Sequence, residues 1–301
     1  MHPMLVTTEE LDAMLDRDDV VVVDVRSKMA FMASGHIPRA VVATWHDFSD
    51  PNSAIKGLLD SDIGRLEKKL GTLGVSNDRL VVVYSNPFDN WGDEGRMYWT
   101  LKYLGHPNVR VLDGGWIKWS AEMRRFESGP AKPRPAVFKA NVDPSLITNK
   151  AEVRRLVEEP NPDTILADAR STEEYNGAIP CWNAPLYSSV DRGGHIPSAV
   201  NVPWNQFFNP DGTVKPVEAI RAVLEKQGVA SGKEVVCYCT GGVRSAWLYF
   251  ILKLAGYEKV KNYPGSWWEW GNDYTLPVVN LKEQQRPPIQ RTMPNKPPTA
   301  H

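Results

Sequence analysis

The chain contains two copies of one sequence pattern, and this internal repeat restricts its possible folds more than any other feature. The segment Val20–Val41, VVVVDVRSKMAFMASGHIPRAV, is matched by Thr164–Val200. In each copy an apolar run leads to Asp-x-Arg-Ser and then, after a polar segment, to Gly-His-Ile-Pro. The second copy has about fifteen extra residues before Gly-His-Ile-Pro. The repeat therefore predicts two tandem domains with the same fold.

Two further pairs of segments extend the repeat and set the domain limits. Leu80–Asn86 matches Glu234–Thr240, and Leu104–Trp119 matches Ala255–Trp270 without a gap. A chain of 301 residues is also long enough for two ordinary cores. We predict a first domain over 1–128, a proline-containing linker over 129–145, a second domain over 146–280 and a proline-rich tail over 281–301.

The order of apolar runs predicts the fold class. Val20–Val23, Leu80–Val83 and Val235–Cys237 are short continuous apolar runs, which are typical of strands buried on both faces of a parallel sheet. Segments with helical periodicity alternate with them, namely 7–17, 145–159, 217–228 and 245–256. We therefore expect an α/β fold in which each domain is a mostly parallel sheet with helices on both faces.

Composition excludes several classes of protein. The net charge of −1 and the content of 42% hydrophobic and 24% charged residues give no bias toward nucleic acid or membranes. Three cysteines are too few for a disulfide framework. The first residues lack a basic region followed by an apolar one. We expect a cytoplasmic protein with neither nucleic-acid nor membrane partners, although a periplasmic protein that had lost its signal peptide would look the same.

The segment 236–245, VCYCTGGVRS, is the strongest candidate for a functional site. A zinc site needs about four ligands, and Cys237-x-Cys239 has no partner pair. A thioredoxin-like redox pair needs two intervening residues, and here there is one. Because side chains alternate along a strand, Cys237 is predicted to lie in the core. Cys239 falls at the carboxyl end of the strand, where open α/β sheets place their ligands.

The residues after Cys239 predict an anion-binding loop around its sulfur. A glycine-rich turn lets several backbone N–H groups point inward, and the following helix adds the positive end of its dipole. Such a loop lowers the pKa of a thiol from about 8.5 and so favours the reactive thiolate. The last residue of the loop can pair with an oxyanion as substrate approaches. The loop consists of Cys239 followed by Thr240, Gly241, Gly242, Val243 and Arg244.

These motifs together resemble the tandem-domain rhodanese family of sulfurtransferases, of the thiosulfate or 3-mercaptopyruvate type, over about residues 5–280. The resemblance rests on the paired Gly-His-Ile-Pro motifs, the loop Cys239–Arg244 and the segment Gly265–Trp270, GSWWEW. It implies that Cys239 takes the outer sulfur of a donor as a persulfide and passes it to cyanide or a thiol, without a cofactor or metal. Phosphatases and arsenate reductases of this fold have five residues between cysteine and arginine. The four residues found here favour sulfur.

The resemblance also implies substrate-binding residues, some of them with open alternatives. Thr240, Gly241, Gly242, Val243 and Arg244 would hold the substrate. Arg170 would contact it as well, or would instead form an ion pair with Asp168, as Arg26 would with Asp24. A second substrate arginine often follows in this family, and here its position falls on Glu173, Glu174 or Tyr175. Arg192 could replace it. Cys181 is read as a surface thiol, which could also resolve the persulfide or be a target of oxidation.

The sulfur donor and acceptor stay open at this stage. Uncharged residues directly after the cysteine, such as Thr240 and Gly241, are similar to those of mercaptopyruvate enzymes, whereas Arg244 favours a thiosulfate dianion. We predict thiosulfate as the donor and cyanide or a thiol as the acceptor. The alternatives are 3-mercaptopyruvate as the donor, or a sulfur relay in which Cys239 delivers sulfur to a protein partner.

The first domain is predicted to be catalytically inactive. Alignment of the two copies puts Ser85 at the position of Cys239. No base is expected beside this serine, and the nearby Asp89, Asp93 and Glu94 would repel an anionic substrate. By resemblance to tandem rhodaneses, this domain would pack against the second and form a wall of its active site.

Overall fold

The computed structural model describes residues 2–178, 190 and 192–281. Cys181 and residues 282–301 of the predicted tail lie outside this range. No helix of the described part is long and apolar enough to cross a membrane.

The first domain is a five-stranded sheet in which all strand pairs are parallel, with the order β1-β5-β4-β2-β3. Its strands are β1 (Leu5–Val6), β2 (Val20–Asp24), β3 (Val41–Val42), β4 (Leu80–Tyr84) and β5 (Val109–Leu112). Its helices are α1 (Thr8–Met14), α2 (Lys28–Ser34), α3 (Ile63–Thr72), α4 (Asp93–Tyr103) and α5 (Gly115–Ala121), with a 3₁₀ turn at Trp45–Phe48.

The second domain repeats this topology with four parallel strands in the order β7-β6-β8-β9. A single parallel bridge between Ile147 and Asn262 takes the place of the β1–β5 pair. Its strands are β6 (Thr164–Asp168), β7 (Val200–Asn201), β8 (Glu234–Tyr238) and β9 (Val260–Asn262). Its helices are α6 (Lys150–Glu158), α7 (Thr172–Tyr175), α8 (Val217–Lys226), α9 (Arg244–Leu254) and α10 (Ser266–Trp270), with 3₁₀ turns at Pro144–Leu146 and Trp204–Phe207. The predicted α/β fold with two tandem domains is confirmed.

Local sequence explains where several helices begin. Thr7 caps α1 with a capping box, in which its side chain accepts from the N–H of Glu10 and the Glu10 carboxylate accepts from the N–H of Thr7. Asn149 caps α6 in a similar way by accepting from the N–H of Glu152. Helix α9 differs, because ten of its eleven residues are buried. Such a helix lies inside the protein rather than on its surface.

The strand-end Asp-x-Arg motif forms a buried ion pair in both domains. Arg26 donates to both carboxylate oxygens of Asp24 and to the carbonyl of Gly35. Arg170 makes the same contacts with Asp168 and Gly194. In each domain this arginine therefore ties the end of strand β2 or β6 to the Gly-His-Ile-Pro turn.

Helices α4 and α9 pack against each other and join the two domains. A side chain at Gly95 would bring its Cβ within 2.4 Å of the Trp247 backbone, so the glycine permits close contact between the helices. The Tyr98 and Phe250 rings meet edge to face at 4.9 Å. Residues 130–143 contain no helix or strand and run along the first domain, where Ala136 N–H donates to the Gly71 carbonyl. Because α9 begins immediately after the loop that follows β8, the contact between α4 and α9 lies next to that loop.

Candidate active site

Cys239 directly follows strand β8 and lies at the carboxyl edge of the sheet. The residue is 1% exposed. The loop from Cys239 to Val243 connects β8 to α9, whose first residue is Arg244. The cysteine is therefore placed at the beginning of a buried helix, where the helix dipole favours a negative charge.

The two glycines of the loop are required by close packing. Gly242 has φ of +76°, and a Cβ there would lie 2.6 Å from the Pro264 Cα atom. A Cβ on Gly241 would lie 2.2 Å from the Trp268 ring. Gly57 of the first domain also closely approaches the Gly241 carbonyl, since its own Cβ would lie 2.3 Å from that oxygen. Any side chain at these positions would push the loop away from its neighbours.

Helix α10 holds the outer side of the loop. Trp267 N–H donates to the Cys239 carbonyl at 3.0 Å, and Trp268 N–H donates to the Thr240 carbonyl at 2.9 Å. The Ser266 hydroxyl oxygen accepts from Cys239 N–H at 3.0 Å. The GSWWEW segment therefore fixes the loop carbonyls, which explains why it occurs together with the cysteine loop.

The environment of Cys239 favours its thiolate. Burial raises the pKa of the thiol, but the Arg244 guanidinium, the Ser245 hydroxyl and the N–H groups of Ser245 and Gly241 together lower the pKa below its usual value. Cys237 contrasts with it, because burial and the nearby Cys239 raise the pKa of the Cys237 thiol well above its usual value. The thiol whose surroundings favour ionisation is thus Cys239, whereas Cys237 lies in the core, as predicted.

Arg244 is paired with Glu174, a contact that sequence reasoning did not identify. The guanidinium donates to both carboxylate oxygens at 2.7 and 3.0 Å, and it also donates to the Thr240 hydroxyl. Burial raises the pKa of Glu174, but Arg244 outweighs it and, with Arg170 and the Ser171 N–H, brings the pKa to about 2. Glu174 therefore stays ionised and offsets the charge of the loop arginine.

Both tandem halves of the sequence match one known family. The match, over residues 7–122 and 149–273, is to the rhodanese-like domain. The chain belongs to the rhodanese-like domain family. Among the described residues, no group of three or more histidine, cysteine or carboxylate side chains could hold a metal ion.

Two similar proteins and one solved structure have names that refer to sulfur transfer. The chain is 34% identical to the sulfur carrier protein TtuD of Thermus thermophilus, over 94% of this chain and 99% of that protein. It is 33% identical to a protein of Saccharopolyspora erythraea named "Putative thiosulfate sulfurtransferase", over 93% of this chain and 98% of that one. The 3-mercaptopyruvate sulfurtransferase SseA from Escherichia coli superposes with a TM-score of 0.76 at 25% identity, over 88% and 98% of the two chains. The protein is thus a member of a sulfurtransferase family.

Arg170 and Arg192, both considered for substrate binding, form contacts within the protein. Arg170 is fully buried and lies over the Trp267 ring at 4.4 Å while it pairs with Asp168. Arg192 donates to the carbonyls of Asp273 and Leu276. The geometry of Arg170 favours the ion pair over a direct substrate contact.

Besides Gly57, two side chains of the first domain lie against the cysteine loop. Arg96 on α4 donates to the Gly242 carbonyl at 3.0 Å and to the Gly57 carbonyl at 2.8 Å. The half-exposed Trp91 ring lies 5.2 Å from the Arg244 guanidinium carbon and covers that side of the loop. Sequence reasoning missed both, because neither residue belongs to a local motif.

In the first domain Ser85 stands at the position of Cys239, and acidic residues lie near it, as the sequence indicates. The Ser85 hydroxyl donates to Glu94, so the expectation that this serine has no base beside it was wrong. Burial raises the pKa of Glu94 to about 7, and burial together with Glu94 raises that of Asp93 well above its usual range. Two carboxyl groups stand where the second domain has Arg244 and Ser245, so this site lacks the guanidinium and the hydroxyl that stabilise an anion at Cys239.

Proposed function

We propose that this sulfurtransferase moves the outer sulfur of thiosulfate to cyanide or a thiol through a persulfide on Cys239. The observation that carries the proposal is the buried Cys239 thiol, whose pKa is lowered by Arg244 and by amides of a closed loop at the carboxyl edge of the sheet. A loop that stabilises a thiolate also stabilises the persulfide anion that replaces it. Thr240, Gly241, Gly242, Val243 and Arg244 form the binding surface for the transferred sulfur.

The proposed reaction has two half-reactions with balanced electrons. The Cys239 thiolate attacks the outer sulfur of thiosulfate, a new sulfur–sulfur bond forms, and the original one breaks with its electron pair leaving on sulfite. The acceptor then attacks the outer sulfur of the Cys239 persulfide. The electron pair returns to the cysteine sulfur, and the thiolate is restored without a cofactor.

Arg244 supports thiosulfate as the donor, as does the name of the Saccharopolyspora relative. A guanidinium beside the reacting sulfur stabilises a sulfite leaving group as its charge develops. The pairing of Arg244 with Glu174 reduces the net charge that meets a dianion. This pairing favours a second candidate, in which the donor is 3-mercaptopyruvate, a monoanion at its carboxylate, as the name of the SseA structure suggests.

A sulfur relay is a further candidate, supported by the likeness to TtuD over almost its full length. In this case Cys239 would load with sulfur and discharge to a protein acceptor. Small thiols and cyanide would discharge it slowly. All three candidates pass through the same persulfide on Cys239, so the donor and the acceptor are tested separately.

The experiment is a rapid-mixing measurement of sulfite release and of thiocyanate formation. We expect a burst of one sulfite per protein with thiosulfate, followed by steady turnover when cyanide is added. Cys181→Ser serves as the matched control and should keep the burst, whereas Cys239→Ser should lose it. If 3-mercaptopyruvate gives a faster burst, measured as pyruvate release, then 3-mercaptopyruvate and not thiosulfate is the donor. A full burst without turnover on cyanide or thiols would favour the relay, and the absence of any burst would contradict all three candidates.

A further inference from the structure

We propose that Arg96, in the catalytically inactive first domain, is a positioning residue that supplies the uncompensated positive charge facing the sulfur anion of Cys239. The inference concerns the same site as the proposed function, and the part of its test that measures sulfite release rests on that function. Its main test uses the unloaded thiol and is independent of sulfur transfer.

Arg96 is buried in the contact between the domains and is 1% exposed. Its two terminal nitrogens donate to the carbonyls of Gly242, in the cysteine loop, and Gly57, in the first domain. Its Nε has no hydrogen-bond partner among the described residues. The guanidinium also lies over the Trp99 ring at 5.0 Å. All these contacts are to neutral groups, so none of them offsets its charge.

The other two buried arginines around the loop are neutralised. Arg244 forms a bidentate pair with Glu174, and Arg170 pairs with Asp168. Within the described part of the chain, no salt bridge includes Arg96. An unpaired buried cation is strongly unfavourable unless an anion faces it. Arg96 is thus the buried cation of the site whose charge remains available to an anion.

The anions that interact with Arg96 are Cys239 and Asp93. Burial lowers the pKa of Arg96 to about 10, against the opposing effects of Cys239 and Asp93, so the guanidinium stays charged at neutral pH. Burial and Glu94 raise the pKa of Asp93 well above its usual range, which favours its neutral form. The remaining anion is the thiolate of Cys239, or the persulfide that replaces it.

A chain of hydrogen bonds also links Arg96 to the sulfur. The Gly242 carbonyl that accepts from Arg96 also accepts from the Asn262 amide at 3.1 Å. The Asn262 oxygen in turn lies 2.6 Å from the Ser245 hydroxyl, which is 3.6 Å from the Cys239 sulfur.

That chain limits what Ser245 can do for the thiolate. Because the Asn262 amide nitrogen donates to Gly242, its oxygen needs the single hydroxyl proton of Ser245. Ser245 therefore cannot donate a full hydrogen bond to the Cys239 thiolate at the same time. This leaves a larger share of the stabilisation of the sulfur anion to Arg244, to the N–H groups of Ser245 and Gly241 and to the charge of Arg96.

The test compares Arg96→Met, which removes the charge, with Arg96→Lys, which keeps it. Lys102→Met is the matched control, because it removes a cation from the same helix, where the lysine donates to the carbonyls of His106 and Pro107. The apparent pKa of Cys239 is read from the pH dependence of iodoacetamide alkylation and of thiolate absorbance, in a Cys181→Ser background.

We expect Arg96→Met to raise the apparent pKa of Cys239 by about one unit, with roughly tenfold slower alkylation at neutral pH. Arg96→Lys should shift it by less than half as much, and Lys102→Met should leave it unchanged. Sulfite release by Arg96→Met should be slowed to the same extent as alkylation. If Arg96→Met fails to fold, Arg96→Gln takes its place, since it keeps a donor for the Gly242 carbonyl without the charge. The same rise in the apparent pKa of Cys239 is expected.

An unchanged pKa in the neutral variants would overturn the inference, as would an equal shift in Arg96→Lys. If the pKa shifts as expected but wild-type protein releases no sulfite from any donor, the proposed function fails while the role of Arg96 in stabilising the thiolate stands.

Discussion

The corners after strands β4 and β8 both lead into a helix, but they differ in length and in electrostatics. Seven residues separate Ser85 from α4, whereas four separate Cys239 from α9. Four of the aligned differences change the charge or reactivity of the site: Ser85 for Cys239, Asp93 for Arg244, Glu94 for Ser245 and Ala30 for Glu174. In the first domain Ser85 meets a carboxyl group, whereas in the second Cys239 meets a hydroxyl and a guanidinium. The difference teaches that the fold positions the residue after the strand, and that the neighbouring charges decide its chemistry.

The features shared by the two domains are structural. The Tyr84 hydroxyl accepts from Ile37 N–H, and the Tyr238 hydroxyl accepts from Ile196 N–H in the same position. The ring of His36 stacks on Phe31 at 3.8 Å, and that of His195 stacks on Tyr175 at 3.6 Å. Because the first domain keeps these contacts although Ser85 stands there in place of the cysteine, we assign them to the fold rather than to the reaction.

The largest effect should come from exchanging the residues after the strands. Cys239→Ser should lower sulfur transfer by at least about 1,000-fold, because the serine hydroxyl is not ionised at neutral pH. Ser85→Cys in the same protein should restore nothing, since carboxyl groups stand there in place of Arg244 and Ser245, which lower the pKa of Cys239. The measurement is steady-state thiocyanate formation. Activity gained by Ser85→Cys would show that the surrounding charges do not decide the difference.

Breaking the ion pair that distinguishes the second corner should cost stability. Arg244→Met leaves Glu174 buried without its cation, which is expected to cost about 3–5 kcal/mol. The double variant Arg244→Met with Glu174→Met should recover most of this loss, because no buried charge remains. Urea unfolding at neutral pH measures both. A double variant as unstable as the single one would mean that the pair is not the cause.

The buried Glu94 of the first domain should make the free energy of unfolding fall as the pH rises, whereas an ion-paired carboxylate would make it rise. Since the pKa of Glu94 in the folded protein is raised from 4.5 to about 7, its neutral form favours folding below pH 4.5, and this contribution is lost as the pH rises through about 7. Glu94→Gln should therefore stabilise the protein at pH 8 by at most about 3 kcal/mol and have little effect at pH 4. Thermal unfolding of both proteins at the two pH values checks this, and an equal difference at both would contradict it.

The smallest effect is expected from the aromatic contact between the domains. Trp91→Ala removes the ring over Arg244, a contact of about 0.5–2 kcal/mol, and should slow donor loading two- to tenfold. Phe88→Ala is the matched control, because both residues are 49% exposed in the same loop but Phe88 contacts Phe208 instead of Arg244. Equal loss in both variants would assign the effect to the loop as a whole. The readout is the rate of the sulfite burst.

Sequence reasoning reached the fold and the cysteine loop because their determinants are local. Apolar runs, glycines and the repeat itself lie within short segments, and the strand and helix order follows from them. The partners of the loop could not be found in this way. The Glu174–Arg244 contact spans 70 residues and the Arg96–Gly242 contact spans 146. Glu174 was noted only as a departure at an expected arginine position, whereas Arg96 stands in a buried helix without a local pattern.

The measurement that tests the central claim most directly is peptide-level mass analysis after loading with thiosulfate. Reduced protein is treated with the donor, separated from it, alkylated at low pH and digested. The account predicts a gain of about 32 Da, one sulfur atom, on the peptide that contains Cys239. The peptide that contains position 85 should gain nothing, either in wild type or in the Ser85→Cys variant. The gain on Cys239 should disappear on addition of cyanide, and a persulfide found on another cysteine, or on none, would contradict the account.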